Sequence, residues 1–240
     1  MPDHFAAKYE HRYTGQDEWR QLGAISKARN ILEMCSEIPH QRILEIGAGE
    51  GAILNELSKA NFGCELTALE VSKSAVDVIC ARKIPGVSRV VQYDGGRFPF
   101  ETGQFDLAIA SHVIEHVENP RALLYEAGRI APYVFIEVPT EDNLRLKWNY
   151  VEDATGHINP YSPKTIRRLV QTCGFDVISQ RLSHCTRSTY VFADPRLGSL
   201  KHSFKETALK VAPNISSLVF CYNASLLLKS PPPGEANGAA

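Results

Sequence analysis

Short apolar runs alternate with amphipathic stretches along most of the chain, and the two periods separate strands from helices. The spacing predicts helices over about 17–35, 52–61, 72–82, 121–130, 165–173 and 200–211. Strands are predicted over about 43–46, 64–70, 87–93, 105–110, 133–138, 175–180 and 222–229. In the first helix Trp19, Leu22, Ile25, Ala28, Ile31, Leu32 and Cys35 recur every three to four positions and suggest one apolar face. Ser162 and Pro163 read as the cap and first position of the fifth helix, with Gly174 as its stop. Strand and helix in alternation predict a parallel, doubly wound α/β sheet whose ligands sit at the carboxyl ends of the strands. Glu45, Glu70, Asp94, Ser111 and Pro139 all fall at or just beyond those ends.

The chain is organised around 42–54, RILEIGAGEGAIL, an apolar strand that runs into a glycine turn and a helix start. Glycines there permit positive φ and close approach of a ligand to the backbone, and the helix start offers unpaired N–H groups. Gly47-x-Gly49-x-x-Ala52 also satisfies the relaxed dinucleotide fingerprint. Glu45 separates the two readings. A carboxylate two residues before the first glycine opposes a pyrophosphate and favours a cationic ligand such as a sulfonium amino acid. Glu70, at the end of the second strand, suits a ribose in either case.

The stretch LEIGAGEG resembles motif I of the class I S-adenosylmethionine-dependent methyltransferases, and Ser111-His112-Val113-Ile114-Glu115-His116 resembles the stretch after the fourth strand in ubiquinone-type and related small-molecule methyltransferases. The resemblance implies a Rossmann-like, mostly parallel seven-stranded sheet with an antiparallel C-terminal strand. It implies S-adenosyl-L-methionine as cofactor, leaving as S-adenosyl-L-homocysteine. Glu45, Gly47, Ala48, Gly49, Gly51, Glu70, Val71, Asp94, Gly95, Ser111 and His112 form the expected cofactor set, with Asp94 at the adenine and Ser111 and His112 at the methionine end. It divides the chain into an N-terminal helical lid or extension (1–40), a methyltransferase domain (41–229) and a disordered tail (230–240). Tyr9, Arg12 and Tyr13 are either lid residues or an ordinary polar lead-in.

Methyl transfer from a sulfonium needs alignment and desolvation, and a base only where the acceptor arrives protonated. The long irregular stretch 140–160, with Lys147, Trp148, Asn149, Tyr150, Asp153 and His157, is the acceptor-site candidate. His157 is the first candidate base and His112 the second, against the plainer role of a loop-fixing histidine. His112-x-x-Glu115-His116 also fits the inverted zinc-protease pattern, which would put both histidines on one helical face. Its place at a strand end, with no clear third ligand helix downstream, argues for no metal. The weaker variant is a divalent ion on Glu115 and His116.

The expected activity is O-methylation of a small-molecule hydroxyl. The alternatives are a protein or peptide acceptor, a dinucleotide-dependent oxidoreductase, and a methyltransferase-like binding protein without catalysis. The Asn/Asp-Pro-Pro-aromatic motif of amino-methylating nucleic-acid enzymes does not follow the fourth strand, where Ser111-His112-Val113-Ile114 stands.

Composition narrows the partners. A chain of 240 residues with 44% hydrophobic content can bury a single α/β core. Lys and Arg total 26 against 27 Asp and Glu, so no overall charge draws it to nucleic acid or an anionic membrane. No run reaches the ~18 apolar residues of a membrane span. Six scattered cysteines without a C-x-x-C pair suggest buried thiols in a reducing, cytoplasmic setting. Nothing in the pattern sets an oligomeric state.

Overall fold

The computed structural model describes residues 17–152 and 155–232. Seven strands form one sheet in the order β3-β2-β1-β4-β5-β7-β6. They are β1 (Arg42–Ile46), β2 (Glu65–Glu70), β3 (Val87–Gln92), β4 (Leu107–Ser111), β5 (Tyr133–Pro139), β6 (Asp176–Ser183) and β7 (Asn223–Lys229). β1 pairs in parallel with both β2 and β4, whereas β7 runs antiparallel between β5 and β6. The order reverses between β1 and β4, which is where a ligand crevice opens in such sheets. The antiparallel closing strand expected at 222–229 is present.

The helices are α1 (Asp17–Cys35), α2 (Ala52–Lys59), α3 (Lys73–Arg82), α4 (Pro120–Ile130), α5 (Pro163–Gln171), α6 (Arg187–Ala193), α7 (Gly198–Val211) and α8 (Pro213–Val219). Caps set several starts: Asn119 accepts from the Ala122 N–H at 3.1 Å ahead of Pro120. Ser162 and Thr165 close a reciprocal capping box, with Pro163 in the first turn. The sequence pattern missed α6 and α8, each seven residues long, which is under two turns of periodic signal.

Strand alternation sends side chains to two cores. Leu44, Ile46, Ala108, Ala110, Val134 and Ile136 pack under α4 and α5. Ile43, Leu107, Ile109, Phe135 and Leu227 pack on the other face with Ala24, Ala28, Ile31 and Cys35 of α1. By the two-residue period, Glu45, Ser111, Glu137 and Ser225 continue this second face at its carboxyl edge. There the apolar layer gives way to a polar belt beneath α1.

α1 itself departs from the expected pattern. Trp19 and Ile25 are exposed, while Ser26 and Asn30 are buried with the alanines. Its inner face has to match that polar belt, so it is not uniformly apolar. The cysteines also differ from expectation: Cys35 and Cys173 are buried, but Cys64, Cys80 and Cys221 are exposed and all six are free thiols. The exposed ones sit at strand and helix margins, where a small thiol costs little. Among the described residues no helix is long and apolar enough to cross a membrane.

Candidate cofactor and acceptor site

The glycine turn follows β1 as expected, with Gly47 at φ 65° and Gly51, the N-cap of α2, at φ 76°. A Cβ at Gly47 would lie 2.7 Å from Val113 Cγ2, so only hydrogen fits between this turn and the segment after β4. Glu45 is buried, its Oε2 has no hydrogen-bond partner among the described residues, and burial pushes its carboxyl up to about 8, with the Glu70 charge adding and Lys27 opposing. A buried, half-satisfied acid beside bare backbone fits a cationic group.

Glu70 ends β2, and its carboxylate ties the turn together. Oε1 accepts from the Val71 and Ser72 N–H groups at 2.8 and 2.9 Å, and Oε2 accepts from the Gly49 N–H at 2.8 Å. Oε2 keeps a lone pair in hand for a further donor. Burial raises the Glu70 carboxyl, and these three N–H bonds work against the shift. Asp94 lies exposed just past β3 and accepts from the Gly96 N–H at 2.9 Å. Val71, Tyr93, Asp94, Gly95, Phe98, Val117 and Leu123 line part of a cleft of about 660 Å³ at this end. Its mix of apolar walls and an acid suits a flat heterocycle with an amino group.

The opposite end is built from charge. His112 follows β4 in the left-handed conformation, φ 57°, a strain of about 1–3 kcal/mol for a residue with a side chain. Its backbone N–H donates to the Glu137 carbonyl at 2.8 Å. Its ring lies between two fully buried acids, Nδ1 3.3 Å from Glu115 Oε1 and Nε2 3.6 Å from Glu137 Oε1. Burial works against charge on all three groups, yet the contacts win. His112 is held above its ordinary value by Glu115 and Glu137, and His112 holds both glutamates below the usual carboxylate range.

Glu137 anchors the polar belt. It accepts from Asn30 Nδ2 and Ser225 Oγ at 2.6 Å each and from Ser111 Oγ at 3.3 Å, while Asn30 also donates to Ser183 Oγ at 2.8 Å. Three strands and α1 thus meet on one carboxylate, with β6 joined through Asn30, and Lys27 of α1 adds its field to Glu45, His112 and Glu137.

His157, from the long loop after β5, is buried and donates from Nδ1 to the Glu141 carboxylate at 2.8 and 2.9 Å. Tyr150 donates to the His157 carbonyl at 2.8 Å. Residues 112–116 form turns rather than the helix that a zinc-protease pattern requires, so His112 and His116 do not act as an i, i+4 pair. The side chain that joins Glu115 and His116 comes from this loop and not from a downstream helix. Donor atoms of Glu115, His116 and His157 all lie within 4.8 Å of one another.

Most sequence-predicted site residues therefore gather at the carboxyl edge. Trp148 of the 140–160 loop, the candidate acceptor segment, is fully exposed and Lys147 and Asn149 are exposed beside it, whereas Asp153 and the lid candidates Tyr9, Arg12 and Tyr13 lie outside the described residues. Sequence reasoning missed Lys27, Asn30, Glu137, Glu141 and Ser225. The available signal was Glu137, an acid inside an otherwise apolar strand, the same signal that singled out Glu45.

A family sequence model described as "Methyltransferase domain" matches residues 16–180. Among curated relatives, an uncharacterized protein of Methanocaldococcus jannaschii, MJ1123, is 28% identical over 123 residues, 51% of this chain and 54% of that one. The ubiquinone biosynthesis O-methyltransferase of Bordetella parapertussis is 25% identical over 135 residues, 53% of this chain and 54% of that one. The chain thus matches about half the length of these curated relatives. A solved structure of Haemonchus contortus phosphoethanolamine N-methyltransferase 2, with phosphomonomethylethanolamine and S-adenosylhomocysteine, superposes with a TM-score of 0.61 at 17% identity, covering 86% of this chain and 52% of that one. With this match over most of its length and the seven-stranded sheet expected of class I enzymes, the chain belongs to the methyltransferase-domain family.

Proposed function

We propose that this protein transfers a methyl group from S-adenosyl-L-methionine to a hydroxyl of a small molecule. The observation that carries the reading is the buried, half-satisfied Glu45 carboxylate beside the close-approach backbone of Gly47. A sulfonium with its ammonium group offsets the cost of ionising this buried acid, and a dinucleotide pyrophosphate would raise that cost. The O-methyltransferase among the relatives supports the choice of hydroxyl.

When bound, the cofactor supplies an electrophilic methyl on sulfur. Glu45 holds its cationic end, the turn from Gly47 through Ala48 and Gly49 to Gly51 takes its backbone, and Glu70 accepts from the ribose. Asp94, with Val71 and Gly95, takes the adenine, and Ser111 and His112 border the reacting end. His157, aligned by Glu141, activates the acceptor hydroxyl. His112 is tied to two buried glutamates, so it orients the chamber. The test is incubation with S-adenosylmethionine and a panel of phenols, alcohols, amines and short peptides, read by mass spectrometry. A one-methyl gain on a hydroxyl compound supports the reading, and methylation confined to amines or peptides overturns it.

A further inference from the structure

α1, β6, α6 and α7 meet around a second cavity, of about 560 Å³, that shares no lining residue with the cleft at the adenine end. Its walls carry Arg29 of α1, Arg181 of β6, Arg187 of α6 and Lys210 of α7, with His184 and His202 among them. Two acids in the lining answer part of this charge. Glu33 pairs with Arg181, and Glu206 takes Lys210 at 2.7 Å and lies 3.9 Å from His202 Nδ1. Arg29 and Arg187 form no ion pair among the described residues, and Arg187 Nε donates only to the Ser199 hydroxyl at 3.0 Å.

His184 reports the same imbalance. Its Nδ1 is buried and has no hydrogen-bond partner among the described residues. The ring is held in place by His202, Tyr190 and Tyr222, with centroids 4.7, 5.8 and 6.2 Å away. Burial, with the charges of His202, Lys205 and Arg29, pushes this imidazole down to about 4, against Glu206. It is therefore neutral at pH 7, and with its proton on Nδ1 it is a donor in want of an acceptor. A positive field and an unanswered donor in one cavity call for an anion.

We propose that this cavity binds the phosphate group of a small phosphorylated metabolite. Two guanidinium groups without acids match a phosphate monoester, which carries about −1.5 to −2 charges at pH 7, better than a single carboxylate. Their forked N–H groups fit phosphate oxygens, and His184 adds a neutral donor. The cavity lies within the roughly 300–1,000 Å³ of small-molecule pockets, which leaves room for the organic part of the ester.

The ligand is not the methyl acceptor. Asn30 separates the two places: its Nδ2 donates to Ser183 Oγ in the cavity wall at 2.8 Å and to Glu137 in the polar belt at 2.6 Å. A phosphate that joins Arg29 to Arg187 fastens α1 to the segment after β6.

The test is calorimetric titration of the full-length protein, in a phosphate-free buffer at fixed ionic strength, with inorganic phosphate, glucose 6-phosphate, phosphoserine and phenyl phosphate. Glucose, serine and phenol serve as controls. The expected result is saturable binding of inorganic phosphate at one site per chain, tighter binding of at least one ester, and no binding of the controls. Both arginines are exposed, so Arg29→Gln and Arg187→Gln leave the fold intact, and each should weaken binding at least tenfold. Lys59→Gln, an exposed cation outside the cavity, should leave it unchanged. Absence of saturable phosphate binding, equal affinity in the arginine variants, or equal weakening in Lys59→Gln overturns the site. Inorganic phosphate bound with no gain from any ester overturns the assignment to a phosphorylated metabolite.

Discussion

The two ends of the crevice are organised by opposite means. At the cofactor end the backbone does the holding: Glu70 collects three N–H groups of its own turn, and Gly47 leaves no room for a side chain. At the acceptor end side chains hold one another, with Glu115, Glu137 and Glu141 each set against a histidine inside the protein. The first arrangement depends on conformation and tolerates few residue types. The second depends on charge balance and fails when one member goes.

That contrast predicts where substitutions bite. The largest effect falls on rate: His157→Ala should lower methyl transfer by about 10²–10⁴-fold while the affinity for S-adenosylhomocysteine stays within twofold, as read by steady-state kinetics and calorimetry. Loss of cofactor affinity in that variant would join the two ends that are separate here. Glu137→Ala should destabilise the protein by about 3–5 kcal/mol in urea unfolding, because it removes the common acceptor of Asn30, Ser111 and Ser225 and leaves His112 unbalanced. Gly47→Ala should cost about 1–2 kcal/mol in stability for its positive φ, with a larger loss in cofactor affinity because Val113 must move.

A smaller effect sharpens the cofactor end. With its carboxyl near 8, Glu45 is mostly protonated at pH 7 in the absence of ligand. A cation placed beside it favours the carboxylate, so binding S-adenosylmethionine should release close to one proton. Calorimetry in phosphate and Tris, whose ionisation enthalpies differ, reads the release, and Glu45→Gln should abolish it. The sign for folding follows: a raised carboxyl contributes stability below its ordinary value of 4.5, lost as pH rises through about 8. The smallest change is expected at Trp148→Ala, fully exposed on the acceptor loop, whose stability should stay within about 0.5 kcal/mol of the wild type.

The same contrast explains what could be read from the chain. The cofactor end is local: strand, turn and helix lie within 42–54, so glycine spacing and one misplaced acid reveal it. Strand alternation likewise gave the sheet and its closing strand, because period and face are written in neighbouring residues. The acceptor end is assembled across distance. Asn30 meets Glu137 from 107 positions away, and His157 meets the 112–116 turn from the far side of β5. No window on the sequence spans these pairs. The helix that a zinc-protease pattern would require at 112–116 does not form, since His112 takes a left-handed conformation that propensity does not anticipate. Buried Asn30 was hidden for a related reason: α1 packs partly on a polar belt, so Asn30 and Ser26 sit among the apolar stripe of Ala24, Ala28, Ile31 and Cys35 that periodicity seeks.

The most direct test of the account is calorimetric titration of the purified protein with S-adenosylhomocysteine, with NADH as control and Glu45→Gln alongside. The account predicts micromolar binding of S-adenosylhomocysteine by the wild type, weakened by at least tenfold in the variant, and no heat with NADH. Binding of NADH with no response to S-adenosylhomocysteine would contradict it.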